Sequence, residues 1–173
     1  AVDIAQEGLR IPLMKAFDAG RPVEAVHELM NKGYSLTELG KFVEAIAAYD
    51  RAIALQPAES WAWARKGRTL RLIGRLPAAL DAYDQALQLN PAYAWAWKGK
   101  GVVLERLGRT EEALACHRAA TQIAPDDVWN WMNQAEVLRT MGRNEEALAA
   151  LQRALEADPE HAPSWGRLGQ LER

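Results

Sequence analysis

The sequence predicts an all-α solenoid of stacked helix pairs, on a period of 34 residues punctuated by glycine and proline. Prolines stand at Pro57, Pro91, Pro125 and Pro159, and glycines at Gly40, Gly74, Gly108 and Gly142. Two alanine sets follow the same spacing, Ala45, Ala79, Ala113 and Ala147, then Ala52, Ala86, Ala120 and Ala154. A tryptophan column runs through Trp63, Trp97, Trp131 and Trp165. So many columns at one spacing exclude coincidence. A fixed period of this size marks helical units that bury their surface only by stacking.

Each unit reads as two helices. In the unit 60–93 the first helix is expected to start at Ser60, as N-cap, and to run to Ile73. Gly74 supplies the left-handed residue that ends it. The second helix is expected to begin near Pro77 and to end near Leu89, with Pro91 just beyond, where a helix cannot continue. In the next two units Thr110 and Asn144 are expected as caps before the pairs Glu111-Glu112 and Glu145-Glu146, whose charge suits a helix N-terminus.

Four full units are read: 26–59, 60–93, 94–127 and 128–161. Residues 162–173 are a partial fifth unit or a capping helix. Residues 1–25 fall outside the repeat. There Ile11, Leu13, Met14 and Phe17 predict a short apolar-faced helix after Pro12. Whether it caps the array or occupies a groove stays open. Arg21-Pro22 introduces a first repeat helix that is extended at its start.

This pattern resembles the tetratricopeptide repeat: a large residue early, a small one four later, glycine at the turn, alanine twice in the second helix, then proline. The small residues are Gly33, Gly67, Gly101 and Ala135, four after Leu29, Trp63, Trp97 and Trp131. One departure is that Lys32, Lys66, Lys100 and Gln134 stand where the family often has leucine. A lysine stem can lie along apolar surface with its ammonium in water. The resemblance implies a right-handed superhelix whose first helices line a concave groove, and a scaffold or adaptor that binds a partner protein or peptide there.

Composition is that of a soluble folded chain, 49% hydrophobic and 25% charged over 173 residues, with a formal net charge of −2. That balance gives no sign of a nucleic-acid or membrane surface. Cys116 is the only cysteine, which excludes an internal disulfide and fits a reducing, cytoplasmic setting. No apolar run approaches the roughly 20 residues of a membrane span. Ala1–Arg10 lacks the basic start and apolar middle of a signal peptide. His117 falls in the column of Tyr49, Tyr83 and Leu151, and Cys116 in that of Ala48, Ala82 and Ala150, so both read as packing residues. No nucleophile–base pair, metal-ligand set or phosphate-cradling loop is present, so no catalytic residue, metal or cofactor is expected.

Three tryptophans are surplus to the repeat. Trp61, Trp95 and Trp129 precede the Trp63, Trp97 and Trp131 column by two residues, about 200° round the helix, and so face elsewhere. They either stiffen the stack or offer aromatic surface to a partner, where tryptophan is a frequent anchor. First helices also carry most of the basic residues, and second helices the acidic ones. The candidate partner-binding residues are therefore Trp61, Arg65, Arg68, Arg71, Trp95, Lys98, Val102, Arg106, Trp129, Met132, Asn133 and Arg139. Arginine offers paired donors and can stack on tryptophan, so the expected ligand is an acidic or carboxylate-bearing segment.

The carboxylate clamp of chaperone-binding members is not matched, since Met30, Tyr34, Arg65, Trp95 and Gly99 occupy its places. A second reading is a self-associating structural or regulatory arm of a larger protein, forming a homo-oligomer through the ends of the array, where Leu168 and Leu171 look like stacking residues. A weaker one is single-stranded nucleic-acid binding by interleaved Trp and Arg, disfavoured by Glu105 and Glu136 on the same helices. The register makes one prediction. Ala86→Phe overpacks the stack and costs ~1–3 kcal/mol, and an unchanged melting temperature contradicts it.

Overall fold

The computed structural model describes residues 22–171. The expectation for Ile11, Leu13, Met14 and Phe17 lies outside the described residues. Every described element is helical: α1 Pro22–Glu38, α2 Phe42–Leu55, α3 Ser60–Leu72, α4 Leu76–Leu89, α5 Ala94–Arg106, α6 Thr110–Ile123, α7 Val128–Thr140, α8 Asn144–Ala157 and α9 Ala162–Leu171. The described chain divides into two compact bodies, the first ending at Leu89 and the second beginning at Asn90. In the first, α1 pairs with α2 and α3 with α4, and α2 packs on α3. In the second, α5 pairs with α6 and α7 with α8, α6 packs on α7, and α8 on α9.

The turn inside each pair is fixed by backbone chemistry. Gly40, Gly74, Gly108 and Gly142 have φ of 74°, 78°, 72° and 72°, where a side chain would be strained. The next residue's amide then reaches back to close the helix: Lys41, Arg75, Arg109 and Arg143 donate to the carbonyls of Leu36, Leu70, Leu104 and Leu138, each at 2.9 Å.

Helix starts differ from expectation. Ser60 is not a cap but the first helical residue; the cap is Glu59, whose side chain accepts from the Trp61 amide. Thr110 and Asn144 are likewise first helical residues. The caps there are Arg109 and Arg143, with no side-chain cap bond. Each arginine instead grips the glutamate three residues on. Arg109 donates to both Glu112 oxygens at 2.6 and 2.7 Å, and Arg143 to those of Glu146 at the same distances. The arginines hold Glu112 and Glu146 below the usual carboxylate range. Helix α4 begins at Leu76, so Pro77 is its second residue.

Between the helices of a pair, aromatic rings lie on glycine. Tyr49, Tyr83 and His117 are buried. A Cβ added to Gly33 would stand 2.6 Å from Tyr49 Cε1, one on Gly67 3.2 Å from Tyr83 Cδ2, and one on Gly101 2.5 Å from His117 Cε1. The glycines are therefore what lets the ring lie flat on the first helix. Each ring's polar tip is bonded to a residue twelve before it, in the last turn of the first helix. Tyr49 bonds Thr37, Tyr83 bonds Arg71, and His117 Nε2 donates to Glu105 Oε1 at 2.7 Å.

The alanine columns are wholly buried, Ala45, Ala52, Ala79, Ala86, Ala113, Ala120, Ala147 and Ala154 all at 0% exposure. Small size at these places allows the close approach. The tryptophan column is not a buried one: Trp63, Trp97 and Trp131 are half-buried and Trp165 is 55% exposed. Each clamps the preceding inter-pair turn. Trp63, Trp97, Trp131 and Trp165 donate Nε1–H to the carbonyls of Pro57, Pro91, Pro125 and Pro159 at 3.1, 2.8, 2.7 and 2.8 Å. The Lys66 and Lys100 ammonium groups themselves lie over the Trp63 and Trp97 rings, at 5.5 and 5.7 Å from the centroids, and Lys66 also pairs with Asp50 at 2.6 Å, so these charged ends are held on the protein where the sequence placed them in water.

Gly33→Ala tests the ring contact. Alanine favours a helix by ~1 kcal/mol over glycine, yet the crowded Tyr49 ring makes the variant less stable overall by ~1–3 kcal/mol. A raised denaturation midpoint contradicts this.

Candidate partner-binding site

In the first body the candidate face belongs to α3, which carries no acidic residue. Trp61 is half-buried and packs against the core formed by α1 and α2. The Arg65 guanidinium lies between two rings, 5.1 Å from the centroid of Tyr34 and 5.2 Å from that of Trp61. Arg68 is bonded to Glu38 of α1 at 2.8 Å. Arg71 serves the interior as well, through its bond to Tyr83. The surplus tryptophan here thus packs on one side and stacks a cation on the other.

In the second body α5 contributes Trp95, stacked on Tyr93 with centroids 6.0 Å apart. Lys98 is paired with Asp127 at 3.0 Å, Val102 is half-buried and Arg106 is exposed. Farther along, α7 brings Trp129, Met132, Asn133 and Arg139 to one cavity of about 230 Å³. Its remaining lining is Ala135, Glu136, Leu151, Arg167 and Leu171. Trp129 is 52% exposed and meets the His161 ring edge-on at 4.9 Å. At the rim Glu136 binds two arginines, Arg139 at 2.6 Å and Arg167 at 3.4 Å. The Arg139 bond, aided by Arg167, holds Glu136 below the usual carboxylate range.

Of the candidates, the structure therefore gathers four in a cavity and two in a ring–cation stack. It ties Arg68 and Lys98 to carboxylates of neighbouring elements, Glu38 and Asp127. Charge along the helices did not reveal those pairs, because each partner is about 30 residues away. Tyr34, Arg167 and Leu171 were missed. Arg167 and Leu171 carried a signal: they stand on the next first helix of the period and so face the preceding one. Among the described residues no cluster of three potential metal ligands occurs, and no helix is long and apolar enough to cross a membrane.

Tetratricopeptide repeat models match residues 28–58, 94–137 and 128–171, and a TPR repeat model matches 67–108. The chain belongs to the tetratricopeptide repeat family. Solved structures with the same fold include MamA, with a TM-score of 0.73 and 22% identity over 86% of this chain and 95% of that one. Another is YrrB, described as a TPR protein with an unusual peptide-binding site, with a TM-score of 0.73 and 22% identity over 92% of this chain and 81% of that one. A third is MamA from Desulfovibrio magneticus RS-1, at 0.71 and 19% identity over 94% and 99%. No curated protein matches the sequence significantly. Family membership makes this tetratricopeptide chain a protein–protein interaction scaffold.

The Tyr83 hydroxyl gives a pH prediction. Burial raises its pKa above the ordinary 10, while Arg71 opposes the rise. The folded state therefore holds this proton more tightly than the unfolded one. The resulting stability is full below pH ~10 and is lost as pH rises through the folded-state value. In an ultraviolet titration Tyr83→Phe removes a late-ionising tyrosine; loss of one that ionises at the ordinary pH contradicts the assignment.

Proposed function

We propose that this tetratricopeptide scaffold binds an acidic, apolar-anchored partner segment through its first-helix faces. The observation that carries the reading is the cavity walled by Trp129, Met132, Leu151 and Leu171 and rimmed by Arg139 and Arg167. Its apolar walls take an aliphatic or aromatic side chain, and exclusion of water there gives the anchor its affinity. The rim sets two guanidinium groups against one carboxylate, Glu136. A ligand carboxylate beside the anchor completes that balance with paired donors. On α3 the Arg65 guanidinium, ordered between Tyr34 and Trp61, supports the same preference. An arginine already held in place loses less freedom when it binds. YrrB, with its peptide-binding site, carries the same fold.

The test is selection of a random peptide library on the chain. Enriched sequences are acidic with an apolar anchor, and their affinity falls as salt rises. Met132→Glu and Arg139→Glu each weaken binding about tenfold or more, ~1.4 kcal/mol, with helical content unchanged. Enrichment of basic or uncharged sequences, or equal binding by both variants, overturns the reading.

A further inference from the structure

After each turn glycine the chain places a cation, Lys41, Arg75, Arg109 or Arg143. Three residues on it places an acid, Glu44, Glu112 or Glu146, except in the second pair, where Ala78 stands. Arg109 and Arg143 each grip that glutamate through two short bonds. Lys41 and Glu44 meet only at 3.9 Å, and an exposed pair so loose contributes little. Arg75 is exposed and has no glutamate there to grip. The residues between cation and acid change as well. The second body has Thr110-Glu111 and Asn144-Glu145, the first Phe42-Val43 and Leu76-Pro77. Val43 is 80% exposed, and Leu39, just before the turn, is 73% exposed. Phe42, Val43 and Ile73 wall a cavity of about 460 Å³ beside Gly40, and its charged lining is Lys41, Glu44 and Arg75.

We propose that this cavity, at the turns of the first two pairs, docks a partner-protein segment in which an apolar side chain adjoins a glutamate or aspartate. Apolar surface that is open to water and rimmed by charge is stabilised by being covered. The charge says by what. Two cations face one carboxylate, so the lining is net positive and selects an acid. The chain itself shows the geometry. An arginine after the turn glycine takes a glutamate through paired donors, as Arg109 takes Glu112. On Arg75 a partner's carboxylate takes the place that Ala78 leaves. The adjoining apolar side chain then lies on Phe42, Val43 and Ile73. A concave site of this kind fits a protruding side chain better than a flat lipid surface. It lies wholly in the first body, whereas the cavity beneath Trp129 lies in the second. This inference therefore stands apart from the proposed peptide site.

Nuclear magnetic resonance of the isotope-labelled full chain tests it, by titration with a capped peptide carrying Leu-Glu between glycine and serine flanks. Amide signals shift at residues 40–44 and 73–75. A Leu-Lys peptide with the same flanks shifts none of them. Val43→Glu and Arg75→Glu weaken binding at these residues about tenfold or more, whereas Met132→Glu leaves it unchanged. Ala78→Glu closes the site from within: the introduced carboxylate occupies Arg75, and binding falls alike with wild-type helical circular dichroism. Leu-Glu shifts that fall only elsewhere, equal binding of the Leu-Lys peptide, or undiminished binding by Arg75→Glu or Ala78→Glu overturns the proposal. So do signals at these residues that answer to phosphatidylserine vesicles and not to the Leu-Glu peptide.

Discussion

The fold depends on the contact between a bare backbone and a ring. Where Gly33, Gly67 and Gly101 face Tyr49, Tyr83 and His117, the two helices of a pair come nearer than side chains on both would permit. That approach buries the ring, and burial obliges its polar atom to find a partner. The partner is always twelve residues earlier: Thr37, Arg71 or Glu105. Packing thus reaches out to the last turn of each first helix, beside the candidate residues. Arg71 and Glu105 look in sequence like surface charge, yet each is an anchor for the interior.

The fourth pair relaxes this constraint, and the candidate cavity lies there. Ala135 replaces the glycine and buried Leu151 the ring, and both line the cavity. Leucine is shorter than tyrosine and carries no polar tip. It leaves room beneath Trp129 and Met132, and it leaves Arg139 to pair with Glu136 instead of an interior hydroxyl. A small change in packing rule thereby yields both the apolar walls and the charged rim.

The repeat was legible because its cause is local. A glycine with positive φ, an alanine between two crowded helices and a proline after a helix end each answer to neighbours at fixed sequence spacing. Helix caps were less legible. Ser60, Thr110 and Asn144 are good cap types, but Glu59, Arg109 and Arg143 hold those places. The turn set by Gly108 or Gly142 fixes where the next helix begins, and the Arg–Glu grip offsets the missing cap bond. The Trp–Pro clamp joins two columns that the period revealed separately, without revealing that they touch. The candidate face was legible as a list of residues and not as a charge pattern. The pairings of Arg68 with Glu38 and Lys98 with Asp127 arise only when successive helices are laid side by side.

If the size of the residue on the first helix and the bulk of the residue on the second are one physical quantity, they must be exchangeable together. The Ala135 and Leu151 pair already occurs in this chain; installing it in the third pair tests the claim. The measurement is a double-mutant cycle on unfolding free energy with Gly101→Ala, His117→Leu and the two combined. The account predicts that the added methyl is costly beside the imidazole and tolerated beside leucine, with a coupling of ~0.5–3 kcal/mol favouring the double variant. Additive effects would contradict it, and would mean that ring and glycine are neighbours without being mutual constraints.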